Sequence, residues 1–288
     1  MQKDGKNKMS KITIVTDSSA QLSSDEIKAL NIHILPVTIL IDGITYIDGV
    51  DIGKVEFMEL MEKSDHLPKT SQPPLGKFIE LYDKLGENGG EVISIHMTEA
   101  FSGTVNTARQ AAEMTNTKVT VVDSTFTDRG LSFQVIEAAQ LAKSGADEIA
   151  ILAEIERIKK HTRLFICIRT LDNLIKGGRI SRVMGIVSHL MDVKLMLEMV
   201  DGSLQTRVKC RGMKSINKFN QTVKETLMKT KNLAEISFSY AGDFDYANEL
   251  KKSFQLAMPD TPMTISHTSP GVATHTGTGA FSIIYYVK

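Results

Sequence analysis

The stretch EVISIHMTEAFSGTVNTARQAAEM, Glu91 to Met114, changes its period halfway along. Val92, Ile93 and Ile95 form a short apolar run that predicts a buried strand. Val105, Ala108 and Ala112 recur at helical spacing and predict a helix with one apolar face. Ser102 and Gly103 stand at the junction. A strand that turns directly into a helix leaves free N–H groups at the helix start. Glycine there lets a ligand come close, and the helix dipole favours a negative group. The stretch therefore predicts a βα unit with an anion site at its turn.

The same rhythm extends on both sides. KITIVTD predicts a strand through Ile12, Ile14 and Val15, and SSDE at Ser23–Glu26 is a capping box that opens a short helix. HILPVTILIDGITYIDG holds two extended runs about Asp42-Gly43, a hairpin signal. Leu75, Phe78, Ile79, Tyr82 and Leu85 share one helical face, with prolines before them and Gly86 after. KVTVVDS predicts a strand, followed by a helix from Leu131 to Lys143. Alternating strands and helices predict a parallel sheet with helices on both faces over residues 11–160. From residue 161 the pattern changes. RLFICIRT, a hairpin about Asp201-Gly202, AEISFSY and GAFSIIYYVK read as strands, and Lys214–Lys229 and Asp243–Met258 as long helices. That half, 161–288, predicts an α+β domain with its helices on one face of a sheet. The fold class is thus α/β in two domains, preceded by a polar, flexible tail over residues 1–10.

Lys+Arg and Asp+Glu both number 34, so the net charge is zero. Such a balance gives no general pull toward nucleic acid or anionic membranes. Two cysteines, Cys167 and Cys210, have no metal-type spacing and suit a reduced, cytoplasmic setting; a disulfide between them stays open. There is no P-loop, no G-x-S-x-G elbow and no zincin histidine pair. His33, His66, His96, His161, His189 and His267 read as surface or packing residues. The predicted strands of the first half end in Asp17-Ser18-Ser19, Thr98 and Asp123-Ser124-Thr125, where open α/β sheets gather ligands. Taken alone, Ser71 reads as a helix N-cap and Asp17 as a turn residue.

Six segments, TIVTDSSAQL, KTSQPPLGKF, FSGTVNTA, VVDSTFTDRGL, LDNLIKGGRIS and THTGTGA, resemble the motifs of the DegV family in order and spacing. The resemblance runs from Lys11 to the C-terminus. It implies a lipid-binding protein of the type that serves as the FakB subunit of bacterial fatty acid kinase. Such a protein is not itself an enzyme and uses no cofactor. It holds one long-chain fatty acid between its domains and presents the carboxylate to a FakA-type kinase. The acyl-phosphate product feeds phospholipid synthesis, and lipid exchange implies transient membrane contact. Carried over residue by residue, the head-group site falls on Thr70, Ser71, Ser102, Gly103 and His275. Arg179 and Arg211, in IKGGRISR and RVKCRG, are the candidates for docking the kinase. The chain departs from the common pattern at Lys194-Leu195, Thr278 and Met97–Phe101, and none of these changes touches the head-group residues.

Two other readings compete. A hydrolase could assemble Ser102, His275 and Asp17 as nucleophile, base and orienter. A general lipid carrier or sensor would hold the fatty acid without a kinase partner.

Overall fold

The computed structural model describes residues 11–184 and 193–288. The tail expected over residues 1–10 and the reading of His189 lie outside the described residues. The first half runs β1 (Ile12–Asp17), α1 (Ser24–Leu30), β2 (His33–Leu35), β3 (Thr38–Ile41), β4 (Ile44–Ile47), α2 (Lys54–Lys63) and β5 (Lys69–Ser71). It continues with α3 (Leu75–Gly86), β6 (Glu91–His96), α4 (Thr104–Met114), β7 (Lys118–Asp123), α5 (Asp128–Lys143) and α6 (Glu148–His161). Then follow β8 (Thr162–Ile168), α7 (Asp172–Lys176), β9 (Val183–Met184), β10 (Lys194–Val200), β11 (Ser203–Cys210) and α8 (Met213–Leu227). The chain closes with β12 (Leu233–Tyr240), α9 (Phe244–Ala257), β13 (Met263–His267), α10 (Pro270–Thr276) and β14 (Phe281–Val287).

Local chemistry explains several boundaries. Ser23 accepts a bond from the Glu26 N–H, and the Glu26 carboxylate accepts one from the Ser23 N–H, so α1 starts on a complete capping box. Asp42 (φ 46°) and Gly43 (φ 85°) are both left-handed, as a two-residue hairpin requires. Asp201 and Gly202 repeat the device between β10 and β11. Elsewhere the structure corrects the sequence reading. Ser71 is not a helix cap: it lies in β5, opposite Thr38 of β3, and Pro74 occupies the N-cap of α3. The fifth helix starts at Asp128, three residues before the expected Leu131.

Four parallel strands, ordered β2-β1-β6-β7, form the first sheet. On one face Ile12, Ile14, Ile93 and Ile95 pack on Leu131, Val135, Ile151 and Ile155 of α5 and α6. On the other, Val15 and Val92 pack on Phe78, Tyr82 and Ala108 of α3 and α4. The second sheet has seven strands, ordered β13-β12-β14-β8-β10-β11-β9. Its outer residues, among them Phe165, Cys167, Phe238 and Ile283, are covered by Ile216 and Val223 of α8 and Phe254 of α9. Its inner residues, Leu164, Ile166, Leu195 and Ile284, meet Phe133 of α5 and Phe57 of α2. Both cysteines are free thiols, Cys167 buried and Cys210 half-buried. A third, three-stranded sheet, β4-β3-β5, carries Thr70. Arg129 joins the two halves, with one guanidinium bonded to Glu26 of α1 and Glu235 of β12.

Candidate functional site

In the parallel sheet the chain leaves β1 toward β2 on one side, while β6 lies on the other. That is a topological switch point, and the crevice beyond its strand ends is where ligands bind in such sheets. Ser19 follows β1, Met97 follows β6, and Thr127 follows β7; all three line one cavity of about 350 Å³. The volume falls within the range of small-molecule pockets. The inner face of the seven-stranded sheet supplies the opposite wall through Leu164, Ile166, Met199 and Leu204. Val37, Phe101, Leu174 and Val272 complete a mostly apolar lining.

Thr70, Ser71, Gln72, Ser102, Gly103, Arg179 and His275 form a polar group within this lining. All five head-group residues expected from the sequence thus line the same cavity, although they come from β5, the β6–α4 turn and α10. Nε2 of His275 lies 3.1 Å from Oγ1 of Thr70. When Nε2 carries the proton and donates, the Thr70 hydroxyl hydrogen is free for a ligand. Burial, aided by the nearby Arg179 charge, pushes the His275 imidazole down to about 4, so the ring is neutral at pH 7. Its Nδ1 is buried and has no partner among the described residues. Ser102 Oγ stands 2.7 Å from Thr104 Oγ1 and accepts from the Thr104 N–H at 3.3 Å, at the start of α4, where the helix dipole favours an anion.

Two members of this group were not expected here. Gln72 donates through Nε2 to Thr107 Oγ1 at 2.5 Å, and its carboxamide lies where a methyl on Gly103 would stand. Arg179, expected from the sequence as a docking residue for a partner, is half-buried in the cavity wall. Its Nη1 donates to the Gly177 carbonyl at 2.7 Å and its Nε to that of Phe101 at 3.3 Å. Among the described residues it has no carboxylate partner, and burial, with Arg182 adding, lowers its pKa. A motif such as GGR signals the turn but not the direction of its arginine. Arg211 is exposed just past the end of β11. β9 pairs with Leu204 near the start of β11, so Arg211 lies about 24 Å along the strand from that point at ~3.4 Å per residue. Leu204 lines the cavity together with Arg179, and Arg211 does not, so the two arginines lie in separate regions. Arg207, between them, is spent on Glu198 at 2.5 Å.

Asp17, Ser102 and His275 do not form a triad. The Asp17 carboxylate accepts from the His96 ring at 3.0 Å, from the Met97 N–H at 2.9 Å, and from both donors of Ser19. His96, in turn, meets Ser94, which accepts from Tyr82. Asp17 thus orients the wrong histidine for hydrolysis, and its role is to fix the β1 and β6 ends beneath the cavity. Asp128, another lining residue, accepts from Gln21 and Thr268, both at 2.7 Å. Burial nevertheless raises it to about 6. Among the described residues, no cluster of His, Cys, Asp or Glu could hold a metal, and no helix is long and apolar enough to cross a membrane.

Residues 11–288 match the DegV family model. A DegV domain-containing protein of Streptococcus pneumoniae is 45% identical over 276 residues, covering 96% of this chain and 98% of that one. Among solved structures, a Bacillus subtilis DegV described as a fatty acid binding protein is similar with a TM-score of 0.89. It is 29% identical over 97% of this chain and 100% of its own. A Thermus thermophilus DegV family protein, described by its fatty acid binding, has a TM-score of 0.86 at 27% identity, covering 96% and 100%.

Proposed function

The chain belongs to the DegV family, and from that premise we propose that it holds one long-chain fatty acid in the cavity. The carboxylate lies against Thr70, Ser71, Gln72, Ser102, Gly103, Arg179 and His275, and residues 11–160 and 161–288 act as two domains with the acyl chain between them. The observation that carries this reading is Arg179, a half-buried cation without a carboxylate partner among the described residues, set beside neutral donors in an apolar cavity. A charge in such a place calls for an opposite charge, and a ligand carboxylate supplies it with charge-assisted bonds. Burying roughly fourteen methylenes at ~0.8 kcal/mol each gives about 11 kcal/mol as an upper bound. The chain therefore supplies most of the affinity, and the head-group contacts fix its direction. Met97 and Met199 in the lining suit a flexible chain.

The protein is a carrier in this reading. A partner kinase, cytoplasmic like its carrier, phosphorylates the presented carboxylate to an acyl-phosphate for phospholipid synthesis. With Arg179 serving the head group, Arg211 is the docking candidate. Mass spectrometry of a denatured extract tests the first step. Recombinant protein is expected to release a long-chain fatty acid at near one per chain. Protein that releases none and takes up none on titration overturns the reading.

A further inference from the structure

The inner face of the seven-stranded sheet is apolar where it floors the cavity, but one row departs from that pattern. Ser282 of β14 pairs with Ile166 of β8 on one side and Ser239 of β12 on the other. With strands ~4.8 Å apart, the two serines stand one and two spacings from Ile166, itself a cavity residue. Phe238, Tyr240, Phe281 and Ile283 alternate with them and belong to the outer core, so the serines face inward. Ser239 and Ser282 are buried, and among the described residues neither hydroxyl has a partner. The buried Thr276 hydroxyl is likewise unpartnered among the described residues. All three line a niche of about 10 Å³ that shares Asp128, Ile166, Val272 and Thr276 with the main cavity.

An unpaired buried hydroxyl is unfavourable, and three around one opening make an apolar tunnel an incomplete description. We infer that the niche is a polar subsite that receives an oxygen substituent, a hydroxyl, carried by the bound acyl chain. This rests on the fatty-acid reading above. A hydroxyl suits the lining because it accepts from Ser239, Ser282 or Thr276 and donates to the Asp128 carboxylate. The niche has room for about one water, which a plain chain leaves in place and a hydroxylated chain displaces. Thr276 directly follows His275 at the end of α10. The substituent therefore sits in the carboxyl-proximal half of the chain.

Displacement titrations with hexadecanoate and a positional series of monohydroxyhexadecanoates test this. In the unaltered protein, one isomer hydroxylated in the carboxyl-proximal half is expected to bind at least as tightly as hexadecanoate. The double variant Ser239→Ala/Ser282→Ala is expected to lower the affinity ratio of that isomer to hexadecanoate by tenfold or more. Thr276→Val, which keeps shape and removes only the hydroxyl, should lower the same ratio. If every hydroxylated chain is disfavoured in the unaltered protein, or the ratio does not move in the variants, the niche holds water alone and the inference falls. Preference for a distal hydroxyl also overturns it. Failure of hexadecanoate itself to bind overturns the fatty-acid reading instead.

Discussion

His275 is neutral because its surroundings are dry and Arg179 is near, and so its contribution to an anion is one directed N–H or a relayed Thr70 hydroxyl. Truncating it tests direction more than greasiness. Ser102→Ala/His275→Ala is expected to weaken fatty-acid binding by more than tenfold, since each charge-assisted bond is worth about 1.5–3 kcal/mol. A fatty alcohol of the same length should lose little; equal losses would make both residues structural. Asp48 is a second informative side chain. It is buried, its Oδ2 has no partner among the described residues, and burial raises it to about 6 against the hydrogen bond of Ser18 and the charge of Lys54. The folded chain thus binds this proton more tightly than the unfolded chain does. Ionisation costs stability above pH 6 and nothing well below pH 4. Asp48→Asn should therefore raise stability at pH 7.5 by about 1–3 kcal/mol, a gain that shrinks as pH falls through 6 toward 4. Urea melts at both ends of that range check it, and a gain independent of pH would refute it.

At the scale of elements, much of the fold was legible because periodicity changes sharply at its boundaries. The capping box of α1, the Asp-Gly hairpins and the alternation of β6 with α4 all follow from local chemistry. Ser71 misled because a hydroxyl before prolines looks like a cap, whereas pairing with β3 makes it a strand residue. The start of α5 was hidden because Asp128 holds φ 53°, a value that sequence spacing does not disclose. Ser269 followed by Pro270 was an available signal for α10, cap and first-turn proline together. The five head-group candidates were named one by one from the sequence and line one cavity, whereas Gln72 and Arg179 join them only through tertiary approach. Asp17 and His96 meet because the parallel register sets Val15 opposite Ser94, two residues back from each. One substitution probes how elements share the site. Gly103 is right-handed at φ −74°, so Gly103→Ala leaves its backbone allowed but drives the added methyl into the Gln72 carboxamide. Fatty-acid affinity should fall about tenfold, with a circular dichroism spectrum and melting temperature close to those of the parent. Unchanged affinity would show that Gln72 is a bystander.

At the scale of the whole molecule, the proposed lipid site and the proposed docking residue fall on different regions. Arg179 is half-buried at the cavity, while Arg211 is exposed beyond the far end of β11. Arg211→Glu should leave lipid affinity within about twofold and cut acyl-phosphate formation at limiting carrier by tenfold or more, a change of about 1.4 kcal/mol. Lipid displacement and a reconstituted kinase assay measure the pair; normal turnover would move the docking surface elsewhere.

Cys167 sits inside the seven-stranded sheet beneath α8 and α9, and burial pushes its thiol up to about 12. Cys210, at the margin of the same sheet, is half-buried. The thiolate is the reacting form, so the pair is a built-in clock with a fast hand and a slow one. A thiol reagent should modify Cys210 first, while Cys167 waits for the sheet itself to open. Saturating fatty acid should lengthen only the slow phase, by the factor that ligand linkage gives for its concentration over Kd. Two phases that slow equally would mean that the margin and the centre of the sheet open as one.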